Sequence, residues 1–318
     1  MKNSKRSSRN KRILALGALF LLLAVTLGLL FGSSGMLVSG TIFRYVRLPR
    51  TAAAVLAGAG LSVSGAVLQS VLGNRLASPG IIGVNAGAGL GVTVCCAAGA
   101  LSGWMISGAA FLGSLFSVTV ITLAAYWTRA SRSTVILGGV AVNSLLNAFS
   151  ESVAVLNPDA AALTTEFRVG GFSSVSHVRL IPAAVLILAA LAVLLTLTNE
   201  LDVLTLGDET AQGLGMSVRR TKTVFLLLAA LLAGASVSFA GLLGFIGLIV
   251  PHAARKIAGS AGRVLLPACA LYGGAFVTLC DLLARTAFAP YELPVGILMS
   301  VIGGPFFVLL LLKHKGGE

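Results

Sequence analysis

Along this chain, long stretches in which nearly every position is apolar alternate with short segments that hold almost all of the charge. Apolar character surrounds each stretch instead of following one face, the pattern of a helix immersed in lipid or in a protein core. A helix needs about 20 such residues to cross a bilayer. The stretches of suitable length are 13–31, 51–72, 81–100, 105–126, 134–156, 178–197, 223–239, 242–257, 264–283 and 295–312. The pattern predicts an all-α integral membrane protein of about ten transmembrane helices. An even number of crossings returns both ends to one side.

Composition agrees. Of the 318 residues, 57% are hydrophobic and 10% are charged, against about a quarter charged in soluble domains. The net charge of +13 suggests nucleic acid until its distribution is considered. With the N-terminus inside, the inner segments hold 17 of the Lys and Arg residues: six in the tail, then Arg75, Arg129, Arg132, Arg219, Arg220, Lys222, Arg255, Lys256, Arg263, Lys313 and Lys315. The outer segments hold six: Arg44, Arg47, Arg50, Arg168, Arg179 and Arg285. Basic residues gather on the cytoplasmic side of membrane proteins, so the expected orientation is N-in, C-in and no nucleic-acid role is expected. The domain division is a basic cytoplasmic tail at 1–12, one transmembrane domain at 13–312 and a short cytoplasmic tail at 313–318. The run at 13–31 is longer than a signal-peptide core and lacks a small-residue cleavage site, so it is read as an uncleaved first helix.

Candidate chemistry is sparse. Cys95, Cys96, Cys269 and Cys280 have no zinc-ligand spacing, and His252 beside Pro251 is read as a structural hydrogen-bonder, so no metal site is expected. No GxxxxGK[ST] phosphate loop occurs; any ATP and Mg would belong to another subunit. No nucleophile–base set suggests an enzyme. Gly58, Gly60 and Gly65, like Gly83, Gly87 and Gly91, stand at spacings that let membrane helices approach closely. Residues 59–68, AGLSVSGAVL, match residues 233–242, AGASVSFAGL, at seven of ten positions. The two copies would run in opposite directions, as in the inverted repeats of transporters.

Two polar features remain. Asn143, Asn147 and Glu151 recur every four residues on one face of a predicted helix. A carboxylate there faces protein or a water-filled cavity: the stripe lines either a pathway or a helix–helix interface in a dimer. The longest inner loop, 199–222, reads NELDVLTLGDETAQGLGMSVRRTK. Its pattern allows short helices at 205–207 and 208–214, broken by Gly207 and Gly215.

The run LGDETAQGLGMSVRR resembles the coupling loop of membrane permease subunits of the iron-siderophore/haem/cobalamin ABC importer family. RLPR at 47–50, the glycine-rich run 58–91, LLGFIGLIVPHAARKIAG at 242–259 and DLLARTAFAPYELPVGILMSVIGGPFF at 281–307 are similar to the same family in the same order. The resemblance implies a homodimer of ten-helix subunits in a bacterial or archaeal cell membrane, two ATPase subunits on the cytoplasmic side, and an extracytoplasmic substrate-binding protein that delivers a metal chelate. It assigns Leu206, Gly207, Asp208, Glu209, Ala211, Leu214 and Gly215 to ATPase coupling and Asn74 and Leu76 to an inner gate. Arg75 stands where the family usually has proline. Arg47, Arg50 and Arg285 match the arginines that dock the binding protein, a role suited to a planar, permanently charged fork. The competing reading is interfacial anchoring, with Arg285 paired to Asp281 four residues earlier. The rival function is an ion-coupled secondary transporter, in which Glu151 would bind the coupling ion.

Overall fold

The computed structural model describes residues 2–32, 40–128 and 130–314; Arg129 and Lys315 of the charge reading lie outside them, as do residues 316–318 of the C-terminal tail. Helices α1 (Lys2–Leu30), α2 (Gly40–Ile42), α3 (Leu48–Val71), α4 (Val84–Ala97), α5 (Gly103–Thr128), α6 (Arg132–Leu156) and α7 (Pro158–Val169) form the first half. A π-helical stretch, Phe43–Arg47, joins α2 to α3. The second half comprises α8 (His177–Thr196), α9 (Thr198–Thr205), α10 (Asp208–Gly213), α11 (Val218–Ala240), α12 (Ile246–Ala258), α13 (Gly262–Thr286) and α14 (Val295–His314). The described residues contain no strand. Among the described residues, seven helical runs are long and apolar enough to cross a membrane: Ser8–Leu30, Gly40–Val71, α5, α6, α8, α11 and α13. All ten expected apolar segments contain a helix.

The differences have local causes. The helices expected from residues 81 and 242 begin at Val84 and Ile246, because Gly83 (φ 90°) and Phe245 (φ 63°) take left-handed backbone that a helix cannot continue through. The basic tail is the first part of α1. The inner loop folds as α9 and α10, its first helix starting upstream of the expected position. Helix α7 is an addition, although Pro158 in its first turn, Asp159 beside it and Arg168 in its last turn are ordinary helix-end signals.

Helix α3 is the axle of the molecule. Within its most apolar window 83% of residues are buried, against 22% in α1 and α6 and 67% in α11 and α13. Its small residues allow this. Gly58 lies on the Gly273 backbone of α13, Gly65 on the Gly247 backbone of α12, and Gly60 against the Ser236 hydroxyl of α11. Hydrogen bonds reinforce these contacts: Ser64 Oγ donates to the Ala229 carbonyl (2.7 Å) and Gln69 Nε2 to the Gly247 carbonyl (3.1 Å). As numbers rise along α3 from Gly60 to Ser64, those of its α11 partners fall from Ser236 to Ala229. The two matching segments of the sequence are therefore antiparallel neighbours at the centre of the fold. Helices α4 and α5 pack in the same way, with Gly87 on Gly113 and Gly91 on Ala109.

Gly65→Ala is expected to destabilise the protein by about 1–3 kcal/mol, the usual cost of overpacking, because the new methyl meets the Gly247 backbone. Gly89→Ala, where a methyl meets nothing within 4 Å, should be neutral or stabilising by up to about 1 kcal/mol, the helix preference of alanine over glycine. Thermal unfolding of both variants in detergent checks the pair; equal melting temperatures would contradict the close-packed axle.

Candidate coupling loop and buried arginine cluster

The loop between α8 and α11 is fastened at three points. Asp202 on α9 accepts a hydrogen bond from the Gly262 amide at the start of α13 (2.7 Å). Asp208, the first residue of α10, receives Arg132 from α6 on one oxygen and Lys222 from α11 on the other, both at 2.5 Å. Arg132 also donates to the Leu204 carbonyl (3.1 Å). Burial alone would raise the Asp208 pKa, but the hydrogen bonds and charges of Lys222 and Arg132 outweigh it and hold the carboxyl below its ordinary value. Ala211 is fully buried beneath α10. Gly207 and Gly215 have positive φ and make the breaks on either side. Glu209 is exposed. Leu206 and Leu214 point outward, 60% and 65% exposed. Two leucines held out from a charged, well-anchored loop form the kind of surface that a partner covers.

The same end of the molecule holds the gate candidates. Asn74 Oδ1 accepts the Leu76 amide (2.8 Å), closing a short turn after Gly73 (φ 59°) in which Asn74 and Leu76 are half-buried and Arg75 is exposed. Nearby, Arg255 on α12 donates to the Ala66 carbonyl and to Ser70 on α3. His252, one turn earlier, meets the ring of Phe306 edge-on at 6.0 Å.

The opposite end holds the three arginines expected to dock a partner. The structure brings them together but turns them inward, leaving Arg47, Arg50 and Arg285 only 4%, 8% and 3% exposed. Arg50 grips Asp281 of α13 through Nε and Nη2 (3.0–3.1 Å) and Glu292 through Nη1 (2.6 Å). Arg47 donates to the last carbonyls of α1, Leu29 and Leu30 (3.1 and 2.6 Å). Arg285 donates to the Gly28 carbonyl (2.5 Å) and lies 3.7 Å from Asp281, so the anticipated pair within α13 is present. Acceptors inside the chain hold every one. On the same side Arg44 is exposed, and the Glu292 side chain is about one-third exposed.

The polar stripe of α6 divides. Asn143 Nδ2 donates to the carbonyls of Gly80 and Ile81 (2.7 and 3.1 Å), serving backbone that precedes α4. Asn147 and Glu151 are exposed in the single chain. Ser150 is buried between Thr93 (3.0 Å) and Arg168 of α7 (2.9 Å). Among the described residues no group of three His, Cys, Asp or Glu could hold a metal ion. Asp281, Asp202, Arg132 and Lys222 were not singled out from the sequence as partners of these sites, apart from the Asp281–Arg285 spacing.

A multi-helix membrane scaffold with an anchored, leucine-bearing loop fits the class of membrane transport subunits. The family is specific: residues 13–313 match the FecCD transport family, and the chain belongs to it. It is 37% identical to the hemin transport system permease protein HmuU of Yersinia pestis over 86% of this chain and 84% of that protein. It is 40% identical to the cobalamin import system permease protein BtuC of Halobacterium salinarum, over 85% and 73% of the two. A solved structure described as an inward-facing conformation of a metal-chelate type ABC transporter superposes with a TM-score of 0.86 at 28% identity, covering 95% of this chain and 99% of that one.

Two substitutions probe the anchors. Asp281→Ala removes the buried carboxylate that Arg50 and Arg285 share, leaving Arg50 with Glu292 alone, and should cost about 3–5 kcal/mol, whereas Arg44→Ala on the surface should stay within about 0.5 kcal/mol; denaturant titration in mixed micelles compares them. Asp208→Asn should speed amide hydrogen exchange across 206–217 several-fold, as expected of a segment released to local opening. The depressed folded-state pKa means that the Asp208 clamp is fully stabilising above the ordinary carboxylate range, near pH 4. It is lost as pH falls through the folded value. Protection of the unmodified loop, corrected for intrinsic rates, should therefore be equal at pH 7 and pH 5, and a loss already at pH 5 would contradict the clamp.

Proposed function

We propose that this chain is the permease subunit of an ATP-driven importer that carries a metal chelate of the iron–siderophore, haem or cobalamin type. The observation that supports it best is the loop of α9 and α10: it is fixed to α6, α11 and α13 by three carboxylate contacts while Leu206 and Leu214 stand free. Such a loop is stiff enough to transmit a push and apolar enough to be gripped. The relatives named for hemin and cobalamin transport supply the substrate class. The partner pushing on the loop is an ATPase subunit, which binds the ATP and Mg; this chain performs no covalent chemistry. Alternating access then follows from differential contact of that partner with two states of the loop.

In this reading α4, α12 and α14 join the seven long helices to make ten crossings within one membrane domain, 13–312. The loop end faces the cytoplasm with both termini, and a binding protein docks at the opposite end. There the buried Arg47, Arg50 and Arg285 set the shape of the docking rim from within, through Asp281 and Glu292. Two copies form the permease, and the exposed Asn147 and Glu151 lie at their interface or along the pathway. The turn of Asn74 and Leu76 serves as the inner gate.

The test is reconstitution in proteoliposomes with the partner ATPase and binding protein. The chain alone should hydrolyse no ATP, and the complete complex should take up haem, a ferric siderophore or cobalamin in an ATP-dependent manner. Leu214→Asp should lower uptake at least tenfold, because an unpaired charge buried at the contact costs several kcal/mol. ATP hydrolysis by the isolated chain, or wild-type uptake by this variant, would overturn the assignment.

A further inference from the structure

None of these roles uses the 430 Å³ cavity at the loop end of the molecule. It lies among the C-terminal turns of α3 and α5, the start of α6, helix α10 and the first turns of α11. Its polar lining is Thr122, Arg132, Asp208, Gln212, Arg219, Lys222 and Thr223, with the Tyr126 ring as an aromatic wall. Three cations face one carboxylate, and both carboxylate oxygens are occupied, one by Arg132 and one by Lys222. The remaining positive charge belongs chiefly to Arg219, whose guanidinium lies 3.5 Å from the centre of the Tyr126 ring. Stacking fixes that guanidinium's plane and leaves its edge for an anion. A second observation points to a ligand: Thr122 lines the cavity, and its buried hydroxyl has no hydrogen-bond partner in the protein. Buried hydroxyls rarely remain unpaired.

Depth in the membrane narrows the chemistry. Tyr126 and the exposed Trp127 end the apolar run of α5, and such aromatics settle at the level of lipid headgroups. The volume falls within the range of sites for small organic ligands, about 300–1,000 Å³. A guanidinium edge, an ammonium and a hydroxyl around one space match the oxygens of a phosphate. Basic pockets between membrane helices bind anionic headgroups.

We propose that this cavity binds a phosphate-bearing organic anion, either the headgroup of an anionic phospholipid or a soluble glycerophosphate-like molecule. Arg219 and Thr122 hold the phosphate oxygens, and Lys222 is shared between the anion and Asp208. Occupancy then stiffens α10 against α5 and α11, so that the anion and the loop are held by one set of charges.

The experiment uses the full chain in detergent, Arg219→Gln and Thr122→Val, neither of which removes a partner of Asp208. Native mass spectrometry measures retention of phosphatidylglycerol against phosphatidylcholine, with and without millimolar glycerol 1-phosphate. The expected result is a preference for phosphatidylglycerol that falls about tenfold in Arg219→Gln, the scale of one charge-assisted hydrogen bond, and less in Thr122→Val. Loss of the retained lipid on adding glycerol phosphate would assign the site to a soluble ligand; its persistence would assign it to lipid. Hydrogen exchange of the unmodified chain is the second measurement, independent of how the variants fold: phosphatidylglycerol or glycerol phosphate should protect residues 122–128 and 218–226. Absence of that protection, or equal retention of the two lipids by all three proteins, overturns the proposal.

Discussion

The constraint on which this structure depends is that backbone must lie directly on backbone. Lipid tails are as apolar as the side chains they would release, so burial gives membrane helices little reason to associate. What remains is dispersion, which falls off within fractions of an ångström of separation, and α3 secures it with glycine, alanine and serine. Gly58, Gly60 and Gly65 each face a different neighbour, α13, α11 and α12, so one helix organises three. The matching of residues 59–68 with 233–242 follows from the same need: two antiparallel helices sharing one contact surface are both obliged to be small along it.

Close packing also governs the charges. Removing water around Arg50 makes an unsatisfied guanidinium costly, and the fold answers with a bidentate carboxylate from α13 and a second carboxylate from the following segment. Arg47 and Arg285 instead use carbonyls at the free end of α1, where backbone acceptors lack helical partners. Cations placed there also meet the negative end of the helix dipole. The cluster therefore ties α1, α3 and α13 together at one end, as Asp202 and Asp208 tie the loop at the other.

These anchors explain what the sequence could and could not tell. The apolar segments were plain because lipid demands continuous hydrophobicity, and the loop of α9 and α10 was plain because its polar run interrupts that pattern at unusual length. The arginines announced that they seek carboxylates. They could not announce which, since Arg50 and Asp281 stand 231 residues apart and nothing local distinguishes an internal partner from an external one. Asp208 was selected through its likeness to a loop, while its partners Arg132 and Lys222 were counted only as inner charge. Helix α7 stayed hidden because its twelve residues are neither long nor uniformly apolar, although its end signals were readable.

The shortness of α4 has a consequence for the surrounding bilayer. At 14 residues and 1.5 Å per residue it extends about 21 Å, against a hydrocarbon layer of about 30 Å. The chain at 80–83 and Asn143 complete the distance on one side, yet α4 and α5 also bound an apolar groove open to the outside, floored by Gly87, Gly91 and Gly113. If α4 crosses the bilayer, as proposed above, acyl chains beside it meet an apolar segment shorter than the membrane and must shorten, tilt or intrude to match it. Membrane thickness thereby becomes a variable acting on this protein, and a bilayer of shorter or more disordered tails should relieve a local deformation that a thick, ordered one would enforce.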